Sequence, residues 1–174
     1  NREMHSIAFW PTLIALTIAA ATDIRSRRIP NWLVVPFLAG GLIAGGVTGG
    51  PAGVAQSVTG IAVAAALAGV LYYLRGMGMG DLKLCAAVGG WIGPAQLVNA
   101  LVAAAIAGGL LALGCGLWTR SLGRQLDSAG ELVAGVVQGG FRPHPTINLE
   151  NPSTVKLPYA VAIAVGTMFS FFTL

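Results

Sequence analysis

The stretch that decides the fold is "RGMGMGDLKLCAAVGGWIG", residues 75–93, in which a turn rich in glycine and methionine leads through Asp81 into an apolar segment. Further apolar segments lie on both sides of it along the chain. A helix needs about 20 apolar residues to cross the hydrocarbon region of a bilayer, with about 17–25 tolerated. By that measure the sequence predicts six membrane segments, the fourth of them short for a full crossing: residues 6–22, 32–49, 53–74, 82–93, 94–118 and 157–174.

The composition excludes an ordinary soluble domain. Of the 174 residues, 55% are hydrophobic and only 9% are charged, whereas soluble domains carry about 25% charged residues. The core of one small domain cannot enclose so much apolar surface, so we expect a single membrane-embedded, all-α domain over residues 1–174. The first apolar segment lacks a small-residue cleavage site before a soluble region, which favours a retained span over a signal peptide.

The basic residues orient the predicted spans. With the N-terminus outside, nine of the ten lysines and arginines fall in the three regions on the cytoplasmic side: Arg25, Arg27, Arg28, Arg75, Lys83, Arg120, Arg124, Arg142 and Lys156. This distribution satisfies the positive-inside rule. Because cytoplasmic loops account for the net charge of +4, we expect the lipid bilayer and no nucleic acid as a partner.

The one long connection, residues 119–156, is predicted to be cytoplasmic. Leu122, Leu126, Ala129 and Val133 recur at helical spacing within it, which predicts an amphipathic helix on the membrane surface. The turn-rich stretch "GGFRPHPTINLENPS", residues 139–153, ends that helix.

Two acidic residues, Asp23 and Asp81, each lie at the predicted cytoplasmic end of an apolar span. Ionisable groups at such a depth are candidates for function. Structural roles are also open at this point. Asp81 would cap a helix that starts at Leu82, and Asp23 would pair with one of the arginines that follow it. The topology nevertheless places both carboxylates at the same membrane face.

Two carboxylates that face one another have a specific chemistry. Like charges a few ångströms apart cannot both ionise cheaply, so the pair holds one proton near neutral pH. One carboxylate can then activate water while its protonated neighbour polarises a peptide carbonyl. Gly78 and Gly80 would let an extended substrate backbone come close and would permit a positive φ near Asp81. The alternative, a proton- or cation-coupled transporter, favours acids near the membrane midplane and matching halves.

Three segments resemble a known family. The stretch "GMGDLKL", residues 78–84, is similar to the GxGD signature of intramembrane aspartyl proteases, in the form typical of prepilin peptidases. "DIRSRRIPN", residues 23–31, resembles that family's first aspartate motif, and "KLPYAVAIAVG", residues 156–166, its last-helix segment. The resemblance covers nearly the whole chain in order and spacing.

The resemblance implies a membrane endopeptidase of the inner membrane that cuts the short basic leader from type IV pilin-like precursors on the cytoplasmic side. Asp23 and Asp81 take the places of the two catalytic aspartates, and no metal or cofactor is implied. Longer bifunctional members carry an extra cytoplasmic region with paired CxxC motifs and also methylate the new N-terminus. Here the two cysteines, Cys85 and Cys115, lie inside apolar runs, so we expect the short, peptidase-only form.

Overall fold

The computed structural model describes residues 2–26, 29–73, 77–118 and 159–173. Within these ranges the chain forms four helices and no strand, which confirms the predicted all-α class. The helices are α1 (Arg2–Ser26), α2 (Asn31–Tyr73), α3 (Met79–Trp118) and α4 (Tyr159–Phe172). The amphipathic helix predicted within 119–156 lies outside the described residues.

Three of the described helices are long and apolar enough to cross a membrane, namely α1 over Ile7–Ser26, α2, and α3 over Met79–Gly114. The fourth helix, α4, is apolar but has only 14 residues. The described residues therefore show three candidate spans where the sequence predicts six. The difference arises because α2 and α3 each contain two of the predicted segments and because α4, with 14 residues, is shorter than a full span.

Both α2 and α3 are broken at a glycine that precedes a proline. Gly50, before Pro51, has φ 57° and ψ −142°, and Gly93, before Pro94, has φ 75° and ψ 173°. A residue before proline is driven out of the helical region, and glycine adopts a positive φ without a steric penalty. The two breaks lie at the boundaries that the sequence predicts between its second and third segments and between its fourth and fifth.

Contacts across the breaks show that each helix folds back on itself. The Ser57 hydroxyl donates a hydrogen bond of 3.3 Å to the Gly41 carbonyl, although sixteen residues of straight helix would span about 24 Å. A Cβ added at Gly89 would lie 3.1 Å from Cδ2 of Leu97, although eight residues of straight helix would span about 12 Å. Each of these helices is therefore a helical hairpin.

The first half of α3 occupies the centre of the bundle. Every residue from Leu84 to Gly90 is buried, as expected for a helix that is apolar on all sides. The Trp91 ring stacks on Phe37 with their centroids 5.4 Å apart, and its indole N–H donates to the Phe37 carbonyl at 2.7 Å. The start of this central helix carries Asp81.

The helices α1 and α4 run antiparallel, and two contacts far apart along them show it. Phe9 and Phe171 meet edge to face with centroids 5.4 Å apart. At the other end, the Ala160 backbone N–H donates to Oδ2 of Asp23 at 3.3 Å. The end of α1 and the start of α4 therefore meet at one end of the bundle.

Small residues allow the closest helix contacts. A Cβ added at Gly60 would overlap the Gly89 carbonyl, and one added at Gly89 would overlap the Gly60 carbonyl. A Cβ at Gly109 or Gly114 would meet nothing within 4 Å. Glycine at positions 60 and 89 thus allows the two helices to approach closely. At positions 109 and 114 no neighbouring atom is close enough to require a glycine.

We expect Gly60→Ala to lower the free energy of unfolding by about 1–3 kcal/mol, since the added methyl group forces α2 and the central helix apart. The matched control is Gly109→Ala, which should be neutral or stabilising by up to about 1 kcal/mol because alanine favours the helix and meets no neighbour. Reversible unfolding in detergent micelles measures both. Equal effects of the two substitutions would contradict the close contact.

Candidate active site

The structure brings Asp23 and Asp81 to the same end of the bundle. Asp23 lies in the last turn of α1 and Asp81 in the first turn of α3. Both side chains are partly buried, and the two carboxylates repel each other electrostatically. A pair of like charges in a partly dry place is costly, so such a pair favours a state in which one proton is shared.

The two oxygens of Asp81 have different surroundings. The Gly78 carbonyl accepts a hydrogen bond from the Leu82 N–H at 3.2 Å, which places Gly78 at the start of the helix. The Gly78 backbone in turn hydrogen-bonds the Asp81 carboxylate. Oδ1 of Asp81, by contrast, is buried and has no hydrogen-bond partner among the described residues. A buried polar atom without a partner is costly.

These contacts correct one structural interpretation of Asp81. The helix begins at Met79, so Asp81 lies inside its first turn and does not cap a helix that starts at Leu82. Its negative charge is still well placed, since the first turn of a helix carries a partial positive charge. The contact with Gly78 occupies part of the carboxylate.

Asp23 is held by a neighbour that the sequence does not reveal. Its Oδ2 accepts the hydrogen bond from the Ala160 N–H, one of the free amides of the first turn of α4. The alanine side chain has no functional group that would mark this position in the sequence. Only the resemblance of residues 156–166 to a family segment draws attention to the start of α4. As for the arginines proposed to pair with Asp23, Arg25 is exposed, and Arg27 and Arg28 lie outside the described residues.

Tyr159 completes the described surroundings of the pair. It is the first residue of α4, is partly buried, and interacts electrostatically with Asp81. The start of α4 therefore contacts Asp23 through the Ala160 backbone and lies within electrostatic range of Asp81.

Gly78 and Gly80 have structural partners of their own. A Cβ at Gly78 would lie 3.1 Å from Oδ2 of Asp81, and one at Gly80 would lie 3.3 Å from Cβ of Ile29. The expectation of a positive φ near Asp81 is wrong for these two residues, because the positive-φ glycines among the described residues are Gly50 and Gly93. The absence of a side chain at 78 and 80 instead lets the carboxylate and Ile29 approach the backbone. A role of either glycine in binding substrate stays a prediction.

Lys83 lies near the start of α3, two residues after Asp81, but its side chain bonds to a residue outside the aspartate pair. Its Nζ donates a hydrogen bond of 3.2 Å to Oδ1 of Asn31, at the start of α2. Both side chains are exposed. The sequence shows the two residues in separate motifs and provides no sign that they meet.

Comparison with known proteins identifies relatives. Residues 10–113 match the model of the type IV leader peptidase family. The chain is 31% identical over 118 residues to a prepilin leader peptidase/N-methyltransferase of Aeromonas hydrophila, covering 60% of this chain and 40% of that protein. It is 31% identical over 100 residues to a type 4 prepilin-like proteins leader peptide-processing enzyme of Escherichia coli O78:H11, covering 53% of this chain and 37% of that protein.

The chain thus spans about two fifths of the length of these curated relatives. No solved structure matches it. Both aspartates, Asp23 and Asp81, fall within the residues that the family model matches.

The repulsion between the two carboxylates predicts a stability effect. At alkaline pH, where both carboxylates are ionised, Asp81→Asn should raise the free energy of unfolding by about 1 kcal/mol, because the amide removes one charge and keeps an acceptor oxygen for the Gly78 backbone. Asp23→Asn should act similarly, since its amide oxygen can still accept from Ala160.

The double substitution tests the coupling between the pair. Because either single change already removes the repulsion, the double variant should be less stable than the sum of the two gains predicts. Unfolding of all four proteins under the same conditions measures this. Strictly additive gains would show that the carboxylates do not interact.

Proposed function

The chain belongs to the type IV leader peptidase family, and on that premise we propose that it is a membrane aspartic endopeptidase that removes the short basic leader from prepilin-like precursors. The observation that carries the proposal is the pair Asp23 and Asp81, partly buried and electrostatically coupled at one end of the bundle. The relatives named for prepilin leader processing support the same substrate class.

The proposed reaction is a general acid–base hydrolysis. One carboxylate is ionised and takes a proton from a water molecule, while the other is protonated and donates a hydrogen bond to the scissile carbonyl. The water oxygen then bonds to the carbonyl carbon and forms a tetrahedral intermediate. Transfer of a proton to the amide nitrogen breaks the C–N bond and releases the leader.

The contacts around the pair suit this chemistry. The Ala160 N–H fixes Oδ2 of Asp23 and the Gly78 backbone restrains the Asp81 carboxylate, so both groups are oriented before a substrate binds. Such preorganisation contributes to rate because the reacting groups need no rearrangement at the moment of reaction. The Asp81 carboxylate is the group that we assign to contact water or the peptide carbonyl.

We also propose that the chain crosses the inner membrane six times, with the aspartate end in the cytoplasm. The fold-backs at Gly50 and Gly93 divide α2 and α3 into two apolar halves each, which together with α1 and α4 makes six segments. The basic residues of the sequence favour the cytoplasmic side for this end. The first half of α3 is about 20 Å long, less than the hydrocarbon thickness, but its buried position removes the need to face lipid along its length.

The position of the acids supports the peptidase over a coupled transporter. Both aspartates lie at helix ends, in the last turn of α1 and the first turn of α3, whereas carrier acids lie near the midplane between matching halves.

The direct test is leader removal from a co-expressed precursor that has a basic leader before an apolar helix. We expect Asp23→Asn and Asp81→Asn each to abolish processing while the protein still inserts, because each removes one member of the acid–base pair. Asp127→Asn, in the predicted cytoplasmic connection, is the control and should process normally. Mobility of the precursor and N-terminal sequencing of the product measure the outcome. Full processing by either of the first two variants would disprove the assignment.

The start of α4 provides a second test of the site. Ala160→Pro removes the N–H that holds Asp23, whereas Val161→Pro removes an amide one residue further along the same first turn, where proline is tolerated. We expect the first to lower kcat about tenfold with little change in KM, and the second to remain within about threefold of the parent. Similar losses in both variants would indicate a general disturbance of the helix instead.

A further inference from the structure

We propose that Asn31 and Lys83 are positioning residues that hold residues 29–31, here called the docked segment, against the start of α3 and thereby set the spacing of Asp23 and Asp81. The effect on catalysis rests on the proposed function. The docking itself does not, and it can be measured without any cleavage.

Two contacts define the docking. Lys83 Nζ donates to Oδ1 of Asn31 at 3.2 Å, across 52 positions of sequence. Next to it, a Cβ at Gly80 would lie 3.3 Å from Cβ of Ile29 and 3.6 Å from its backbone N. The docked segment therefore lies directly on the backbone of the first turn of α3, with a side-chain hydrogen bond at one edge.

The docked segment lies between the two aspartates along the chain. It follows the last turn of α1, which carries Asp23, and its contacts at positions 80 and 83 lie on either side of Asp81. The Pro30 carbonyl accepts hydrogen bonds from the first turn of α2, at 3.1 Å from Leu33 N and 3.4 Å from Val34 N. The segment is thus fixed to α2 by its own backbone, and a shift of it along α3 would move the end of α1 relative to Asp81.

The hydrogen bond between Asn31 and Lys83 is exposed, so it contributes little to the free energy of unfolding. Catalysis is more sensitive, because a displacement of about 1 Å can lower a rate about a hundredfold. A positioning role therefore predicts a loss in kcat that is larger than the loss in stability.

Lys83 has another potential use, in which its ammonium group reaches a lipid phosphate from the helix start. That role requires the charge at position 83 but no acceptor at position 31. Exchanging the two residues separates the possibilities, since Asn31→Lys with Lys83→Asn restores the hydrogen bond in the opposite direction and removes the charge from position 83.

The kinetic experiment compares Lys83→Met, Asn31→Leu, their combination and the exchanged pair in purified protein reconstituted in nanodiscs with a prepilin-like precursor. We expect each single change to lower kcat about tenfold with KM within about twofold, the combination to be no slower than the slower single, and the exchanged pair to recover to within about threefold of the parent. Asn99→Leu, at an exposed position in the second half of α3, is the control. Losses that multiply in the combination, or an exchanged pair that stays slow, would overturn the proposal.

The docking experiment uses a disulfide and needs no peptidase activity. Ile29→Cys with Gly80→Cys would place two Cβ atoms close to the disulfide range of about 3.5–4.5 Å, and each single cysteine variant is the control for other pairings. We expect oxidation to cross-link the double variant rapidly, and Lys83→Met to slow the cross-link several-fold.

The two experiments fail in different ways. A cross-link that forms equally fast with and without Lys83→Met would overturn the docking role even if the parent is an active peptidase. A parent that cleaves no precursor while the cross-link depends on Lys83 would contradict the proposed function and leave the docking role supported.

Discussion

The enclosure of one helix, the first half of α3, is the constraint on which the rest of the structure depends. Residues Leu84–Gly90 are buried on every side, and the contact between Gly60 and Gly89 leaves no room for even a methyl group. A helix that is buried all round must be surrounded by others, and here the two halves of α2 and the other helices supply that surface. Because the central helix starts at one end of the bundle, Asp81 is presented where the other helix ends meet.

The ends of helices carry unpaired backbone groups, and the site is built from them. The free amides at the starts of α3 and α4 reach the carboxylates of Asp81 and Asp23, which offsets part of the cost of placing two like charges together. The offset is incomplete, since Oδ1 of Asp81 has no partner among the described residues.

Some of this was predictable because it is encoded in single residues or short patterns. The apolar segments, the breaks at Gly50 and Gly93 before proline, and the choice of Asp23 and Asp81 as a pair all follow from composition, spacing and charge. Other features were not. The approach of Ile29 to the Gly80 backbone is one of them, because a glycine indicates close approach without indicating what approaches.

The sequence by itself determined that the chain is helical and apolar, where its apolar segments divide, and that Asp23 and Asp81 lie at the ends of such segments. These are local properties of hydrophobic runs, glycine–proline pairs and charge. Only the tertiary structure decided that Ala160 donates to Asp23 and that Asn31 meets Lys83. Both contacts join residues that are far apart in the chain, so they depend on how the helices pack. The contact with Asp23 also uses a backbone amide, which every residue except proline possesses, so no residue type marks it in the sequence.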